Sequence, residues 1–210
     1  MNLKFQINHY DKRHKLKKKY DPEQSRSFVK AFLQLLYIQT TNLNQNIIDI
    51  DNTSRAVEGA LQGFIRVIHP GLSAGDDSYR NPNSVAGFGI VYADDCGIVV
   101  GTGTTAVAVA DDNLATPAAH GVAATNMVHY GCYGLNYTTG ATTASFDVER
   151  IFRNDSGGSI VVAEIGIYSR GYANDNLDYG FCIIRDVLAS TITVLNGEYL
   201  KVKYTITVSN

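Results

Sequence analysis

The stretch from Tyr199 to Ser209 constrains the fold more than any other. Leu200, Val202, Tyr204, Ile206 and Val208 alternate with Lys201, Lys203, Thr205, Thr207 and Ser209. A period of two belongs to a strand, whose successive side chains point to opposite faces, and to no helix. One face is therefore buried and the other wet, as antiparallel sheets allow. Asn196-Gly197 stands just before it, and the readiness of both residues to take φ > 0 predicts a hairpin back to Thr191–Leu195. Upstream, from about Val85, residues of high strand propensity recur between short turn signals. Strands are predicted at Phe88–Tyr92, Gly97–Val100, Ala106–Val109, Phe146–Arg153, Ser159–Tyr168 and Gly180–Val187. Asn154 to Gly158 has the composition of a second hairpin loop between Phe146–Arg153 and Ser159–Tyr168. Residues 85–210 therefore read as an antiparallel β-sandwich or jelly-roll-like domain, and the chain as mainly β.

What precedes that domain differs in charge. Residues 1–30 hold nine Lys or Arg against three acids, a net +6, while the rest of the chain sums to −8 and the whole to −2. The KRHKLKKKY run would repel itself as an isolated helix, so residues 1–20 are expected to be a basic arm, extended or disordered until a partner orders it. Asp21-Pro22-Glu23-Gln24 carries N-cap, first-turn proline and capping-box signals and predicts a helix start. Phe28, Phe32, Leu35 and Leu36, widened by Val29, Leu33 and Tyr37, make that helix apolar over much of its circumference. A weaker helical pattern runs from Ser54 to Arg66. Residues 21–70 thus read as a helical segment and residues 71–84, GLSAGDDSYRNPNS, as a linker loop.

Chemistry is sparsely signalled. Gly101-Thr102-Gly103 follows an apolar strand, but what comes after alternates with period two, where a dinucleotide fingerprint would open a helix. The five histidines are dispersed, without i, i+4 pairs or a neighbouring cysteine, so no metal ligands are expected. Asp94-Asp95 and Asp111-Asp112 lack the spacing of a calcium loop and read as turn acids. No GxSxG, HExxH or P-loop occurs, and no catalytic residue or cofactor is expected. Cys96, Cys132 and Cys182, odd in number and far apart, indicate a reducing compartment rather than a disulfide framework. No apolar run reaches the length of a membrane helix, and no export signal is expected.

Three charges sit in phase with apolar strand residues: Arg150 with Val148 and Phe152, Glu164 with Ile160 and Val162, Arg185 with Phe181 and Ile183. Buried charge must be paired. An Arg150–Glu164 pair across the second hairpin is expected, the functional alternative being that Arg150 or Arg185 lies at a subunit contact.

The order of these features resembles structural proteins of tailed-bacteriophage virions. Carrying the likeness are Gly97 to Gly103, then Leu114-Ala115-Thr116-Pro117 with His120-Gly121, then FDVERIFRNDSGGSIVVAEIGIYSRG, FCIIRDVL and TVLNGEYLKVKYTITVS. They stand where that family has a GTG strand, a "DYxLxxPIxHG"-like segment, an "R-x-F-x-N-x-S-G" hairpin and a closing hairpin. The chain departs from the pattern at Asp112-Asn113, where Asp-Tyr is usual, and in inserting YANDNLDYG. The resemblance implies a non-enzymatic virion subunit, made in the host bacterial cytoplasm and assembled in multiple copies at neck, tail, baseplate or fibre, with copies of itself and other virion proteins as partners. Its contacts are expected at Lys12, Arg13, Lys15, Lys17, Lys18, Lys19, Phe28, Phe32 and Leu36. Two alternatives stay open: a head-associated subunit whose residues 12–19 contact packaged DNA, and a glycan-binding adhesion module that uses some of the thirteen tyrosines.

Overall fold

The computed structural model describes residues 2–25, 27–57, 94–175 and 177–209. They form β1 (Asn2–Tyr10), β2 (Leu16–Lys19), β3 (Glu23–Ser25), α1 (Lys30–Thr41), β4 (Gln45–Ile48), β5 (Ser54–Val57), β6 (Gly97–Gly101), β7 (Val128–Thr139), β8 (Thr143–Arg153), β9 (Ile160–Tyr172), β10 (Asp178–Val194) and β11 (Tyr199–Ser209). One antiparallel sheet has the order β2-β1-β11-β8-β7, with β3 also paired to β1; a second has the order β10-β9-β6; β4 and β5 form a small hairpin. The two larger sheets share a core. Phe5, Val148, Phe152, Val202 and Tyr204 of the first meet Ile98, Val162, Ile165, Phe181 and Ile183 of the second. The Tyr204 hydroxyl donates across the core to Asp186 at 3.0 Å.

The C-terminal alternation becomes β11 as read, with Leu200, Val202 and Tyr204 fully buried. Its partners differ from the expected ones. Asn196-Gly197 does not close a hairpin ladder, because β10 belongs to one sheet and β11 to the other. The same holds for Asn154 to Gly158, since β8 and β9 are in different sheets. Both segments are arches that carry the chain across the core, and they brace each other. The buried Asn154 amide donates to the carbonyls of Gly158 at 2.8 Å and Val194 at 2.7 Å. The Gly157 N–H donates to the Asn196 side chain at 2.8 Å, and the Gly197 N–H to the Asn154 carbonyl at 2.6 Å. Gly157 and Gly197 have φ of 82° and 83°, so the arches draw on the same backbone freedom that suggested hairpins.

Residues 2–20 are not an arm awaiting a partner. β1 pairs along its whole length with β11, from Asn2 opposite Thr207 to Tyr10 opposite Tyr199. Leu3, Phe5, Ile7 and His9 point inward and are buried. The alternation of Leu3-Lys4-Phe5-Gln6-Ile7 is a strand signal that the adjoining charge run obscures. The helix start predicted at Asp21 is likewise corrected: Glu23–Ser25 adds to β1, with Ser25 opposite Leu3, and α1 begins at Lys30 without a side-chain cap. Tertiary acceptors replace the cap, the Val109 carbonyl taking the Lys30 N–H at 2.8 Å and the Ile183 carbonyl the Val29 N–H at 3.2 Å. Asn42 ends the helix at φ 58°, the left-handed stop asparagine tolerates.

Ser54–Val57 is a strand rather than the start of a helix, its hairpin with β4 closed by the buried Asp49 carboxylate, which accepts from the N–H groups of Asp51 and Thr53 and from Arg55. The remainder of that predicted helix, the linker at 71–84 and the Phe88–Tyr92 strand lie outside the described residues. Ala106–Val109 is loop. β7 went unforeseen in the sequence. Leu3, Leu35, Ile47 and Val57 belong to the same core cluster as Val162 and Val202, so the arm and helical segment are not bodies separate from the β domain.

Candidate functional site

The charges in apolar strands settle into two networks, neither of them the predicted Arg150–Glu164 pair. Glu164 on β9, fully buried, pairs with Arg185 on the neighbouring β10 at 2.9 Å. Its carboxylate also accepts the backbone N–H groups of Gly103 at 3.1 Å, Ala115 at 3.0 Å and Thr116 at 2.7 Å. Arg185 extends to the Asp111 carboxylate at 2.6 Å and the Thr105 carbonyl at 2.8 Å. The loop from Gly101 to Thr116 is thereby pinned at both ends and in the middle. Burial alone would lower the basicity of Arg185, but hydrogen bonds to Asp111 and Glu164 outweigh it and raise it above the ordinary value. The two glycines of the GTG motif make room for the carboxylate. A Cβ on Gly101 would stand 2.5 Å from the Thr116 carbonyl, and one on Gly103 would stand 2.7 Å from Ala115 Cβ and meet Glu164. The period-two reading placed both Glu164 and Arg185 inward; what it lacked was the strand order that makes them neighbours.

Arg150 reaches from β8 to the outer edge of β6. Its guanidinium donates to the carbonyls of Tyr130 at 2.6 Å, Cys96 at 2.9 Å and Ile98 at 2.8 Å. Among the described residues β6 is the last strand of its sheet, so its outward carbonyls need donors from elsewhere. Arg150 supplies them at Cys96 and Ile98, the Ala118 N–H serves Val100 at 2.9 Å, and Arg150 thereby ties the sheets together. Burial pulls its basicity down. Burial likewise pushes the thiols of Cys96, to about 12, and of Cys132 up, so both are kept as neutral thiols packed in the core.

The predicted contact residues divide. Lys12, Arg13, Lys15, Lys17, Lys18 and Lys19 all lie exposed on the β1–β2 hairpin. Its turn is closed by Asp11, whose carboxylate accepts the N–H groups of Arg13 at 2.8 Å and Lys15 at 2.9 Å. Lys17 reaches back to Glu198 at 2.5 Å, and His9 holds the other oxygen of that buried carboxylate at 2.8 Å. The rings of Phe28 and Phe32 lie 4.3 Å apart, partly buried and packed against the main core. Leu36 is exposed beside Tyr37, with Leu33 further out at 64%.

Two carboxylates couple this architecture to pH. Burial would raise Glu198, but the Lys17 ammonium, the Leu195 N–H and His9 outweigh it and hold the carboxyl below the ordinary 4.5. Burial would raise Asp147 as well, and Thr205, Asn136 and Lys203 hold it below 3.8. Depressed carboxyls stabilise the fold above their unfolded values and lose that contribution as pH falls through the folded ones. Thermal melts should therefore be level down to about pH 5 and fall steeply below it, with E198Q/D147N shallower in that limb. A melting temperature independent of pH below about 5 contradicts the assignment.

A cavity of about 190 Å³ lies at the opposite end of β9 from the arches, between Asp51, Asp94, Val99, Asn113, Pro117 and Tyr168. The Tyr168 hydroxyl donates to Asn113, which anchors Ile50 through its carbonyl at 2.8 Å. Among the described residues no three His, Cys, Asp or Glu side chains are placed to share a metal ion, and no helix is long and apolar enough to cross a membrane. Comparisons with protein-family models, curated proteins and solved structures found no match to this chain.

Proposed function

We propose that this chain is a non-enzymatic structural subunit of a tailed-phage virion, built into the particle in multiple copies at neck, tail, baseplate or fibre attachment. The observation that carries this is where the motif residues go. Gly101, Gly103, Glu164 and Arg185 join in one loop-pinning network, Arg150 seals a sheet edge, and Asn154, Gly157 and Gly197 build the two arches. Each marked residue is spent on holding the fold, which is what a subunit selected for rigidity requires and what a catalytic centre, with its groups kept open to substrate, does not. The proposal includes a β-sandwich of the jelly-roll-like kind for the two antiparallel sheets. It also includes self-association through the outward face of α1, where Leu33, Leu36 and Tyr37 are exposed.

Sedimentation velocity of the purified chain over a micromolar range tests this. A discrete homo-oligomer is expected, dissociated by L33E/L36E while the melting temperature stays within a few degrees. A chain that is monomeric throughout, or an oligomer indifferent to those substitutions, contradicts self-assembly through this face.

A further inference from the structure

We propose that the tip of the β1–β2 hairpin binds the phosphate backbone of nucleic acid through Lys12, Arg13, Lys15, Lys18 and Lys19. This holds whether or not the chain is a virion subunit.

Short edge strands commonly carry lysines, whose charge and bulk discourage another sheet from adding to the edge. That accounts for Lys18 and Lys19 on β2. It does not account for Lys12, Arg13 and Lys15, which stand in the turn where no ladder hydrogen bonds are on offer. Among the described residues none of the five makes an ion pair, whereas Lys17 is held by Glu198. Asp11, the carboxylate within the tip, is occupied by backbone N–H groups. The lysines on the outer face of β11, by contrast, are neutralised: Lys201 by Glu149 at 2.6 Å and Lys203 by Asp147 at 3.2 Å.

The tip is also stiff. Lys17 and His9 clamp it to Glu198, the His14 ring lies 4.3 Å from that of Tyr199, and Lys18 sits over Tyr20 at 4.3 Å. A cationic surface ordered before binding loses little conformational entropy on meeting its ligand. The chemistry favours phosphates over an acidic protein. Protein interfaces draw their affinity from a desolvated apolar or aromatic centre, and the tip offers Leu16 alone, 48% exposed. A phosphate backbone asks only for closely spaced cations.

Fluorescence anisotropy with a labelled DNA duplex, a single strand of the same length and polyglutamate of matched charge tests this on the full chain. Duplex affinity is expected to fall with salt at a log–log slope of about −4. K12Q/R13Q/K15Q/K18Q/K19Q should bring that slope near zero and weaken binding at low salt by at least ~100-fold. These side chains are exposed, so the variant should melt where the parent does. K30Q, which removes an exposed lysine at the start of α1, should bind within about twofold of the parent. Failure to bind either DNA at low salt overturns the proposal, as does a quintuple variant that binds like the parent. Polyglutamate bound as tightly as DNA overturns it in favour of an acidic protein partner. Oligomer loss in the quintuple variant without any DNA binding overturns it in favour of a second copy.

Discussion

Glu164→Ala is expected to lower unfolding free energy by about 3–5 kcal/mol. Removing one partner of a buried pair leaves the other charge poorly compensated, and here Arg185, 2% exposed, keeps only the Asp111 carboxylate at the loop. Three backbone N–H groups, of Gly103, Ala115 and Thr116, lose their acceptor in the same step. A domain has about 5–15 kcal/mol in total, so the variant stands near the edge of folding. For that reason the double variant E164M/R185M is the sharper measurement. It removes both charges and keeps apolar volume, and should be more stable than Glu164→Ala despite carrying one more substitution. Denaturant midpoints of the three proteins decide it. Glu164→Ala within about 1 kcal/mol of the parent would mean the loop is held by something other than this carboxylate.

Arg150→Met should cost about 3 kcal/mol, for the opposite reason. Methionine brings no charge to bury, and its loss falls on the acceptors: the carbonyls of Tyr130, Cys96 and Ile98 keep their burial and lose their donors. Arg150→Lys should recover less than half of this, because a single ammonium on a flexible stem cannot present the planar fork that serves three carbonyls at once. Hydrogen exchange supplies a local readout: amides of β6 and of the facing part of β7 should lose protection before those of β1 and β11 do. Equal stability of Arg150→Met and the parent would remove Arg150 from the seam between the sheets.

How much of this could be read from sequence varied with the range of the interaction. β11, and the stretches of β6, β8, β9 and β10 that carry clear alternation, were legible because a strand's period is local. The inward phases of Arg150, Glu164 and Arg185 were legible for the same reason. Their partners were not, since pairing depends on strand order, and strand order turned on whether Asn196-Gly197 was a hairpin or an arch. A glycine at φ > 0 serves either, as Gly197 does in the arch while Asn196 does not follow it, so the dipeptide alone cannot distinguish them. β1 was hidden by its neighbours: five alternating residues beside a run of lysines look like part of a tail until β11 offers them a sheet. The capping signals at Asp21 lost to a tertiary force, the addition of Glu23–Ser25 to β1. Of the candidate contact residues, the cations and Leu36 fell on the surface, while Phe28 and Phe32 are half-buried against the core, because helix faces cannot be assigned before the sheet they pack on is known.

The pairing of β1 with β11 also sets a timetable. Residue 2 lies opposite residue 207, so a ribosome releases one strand of this ladder near the start of synthesis of these residues and the other near its end. Until then Leu3, Phe5 and Ile7 have no sheet to cover them, and the sheet containing β8 and β7 lacks its central member. Contacts between such distant residues slow folding and prolong the exposure of apolar surface. Folding of this chain is therefore a closure in which the first strand waits for the last, and it is during that wait that holding chaperones have most to offer it.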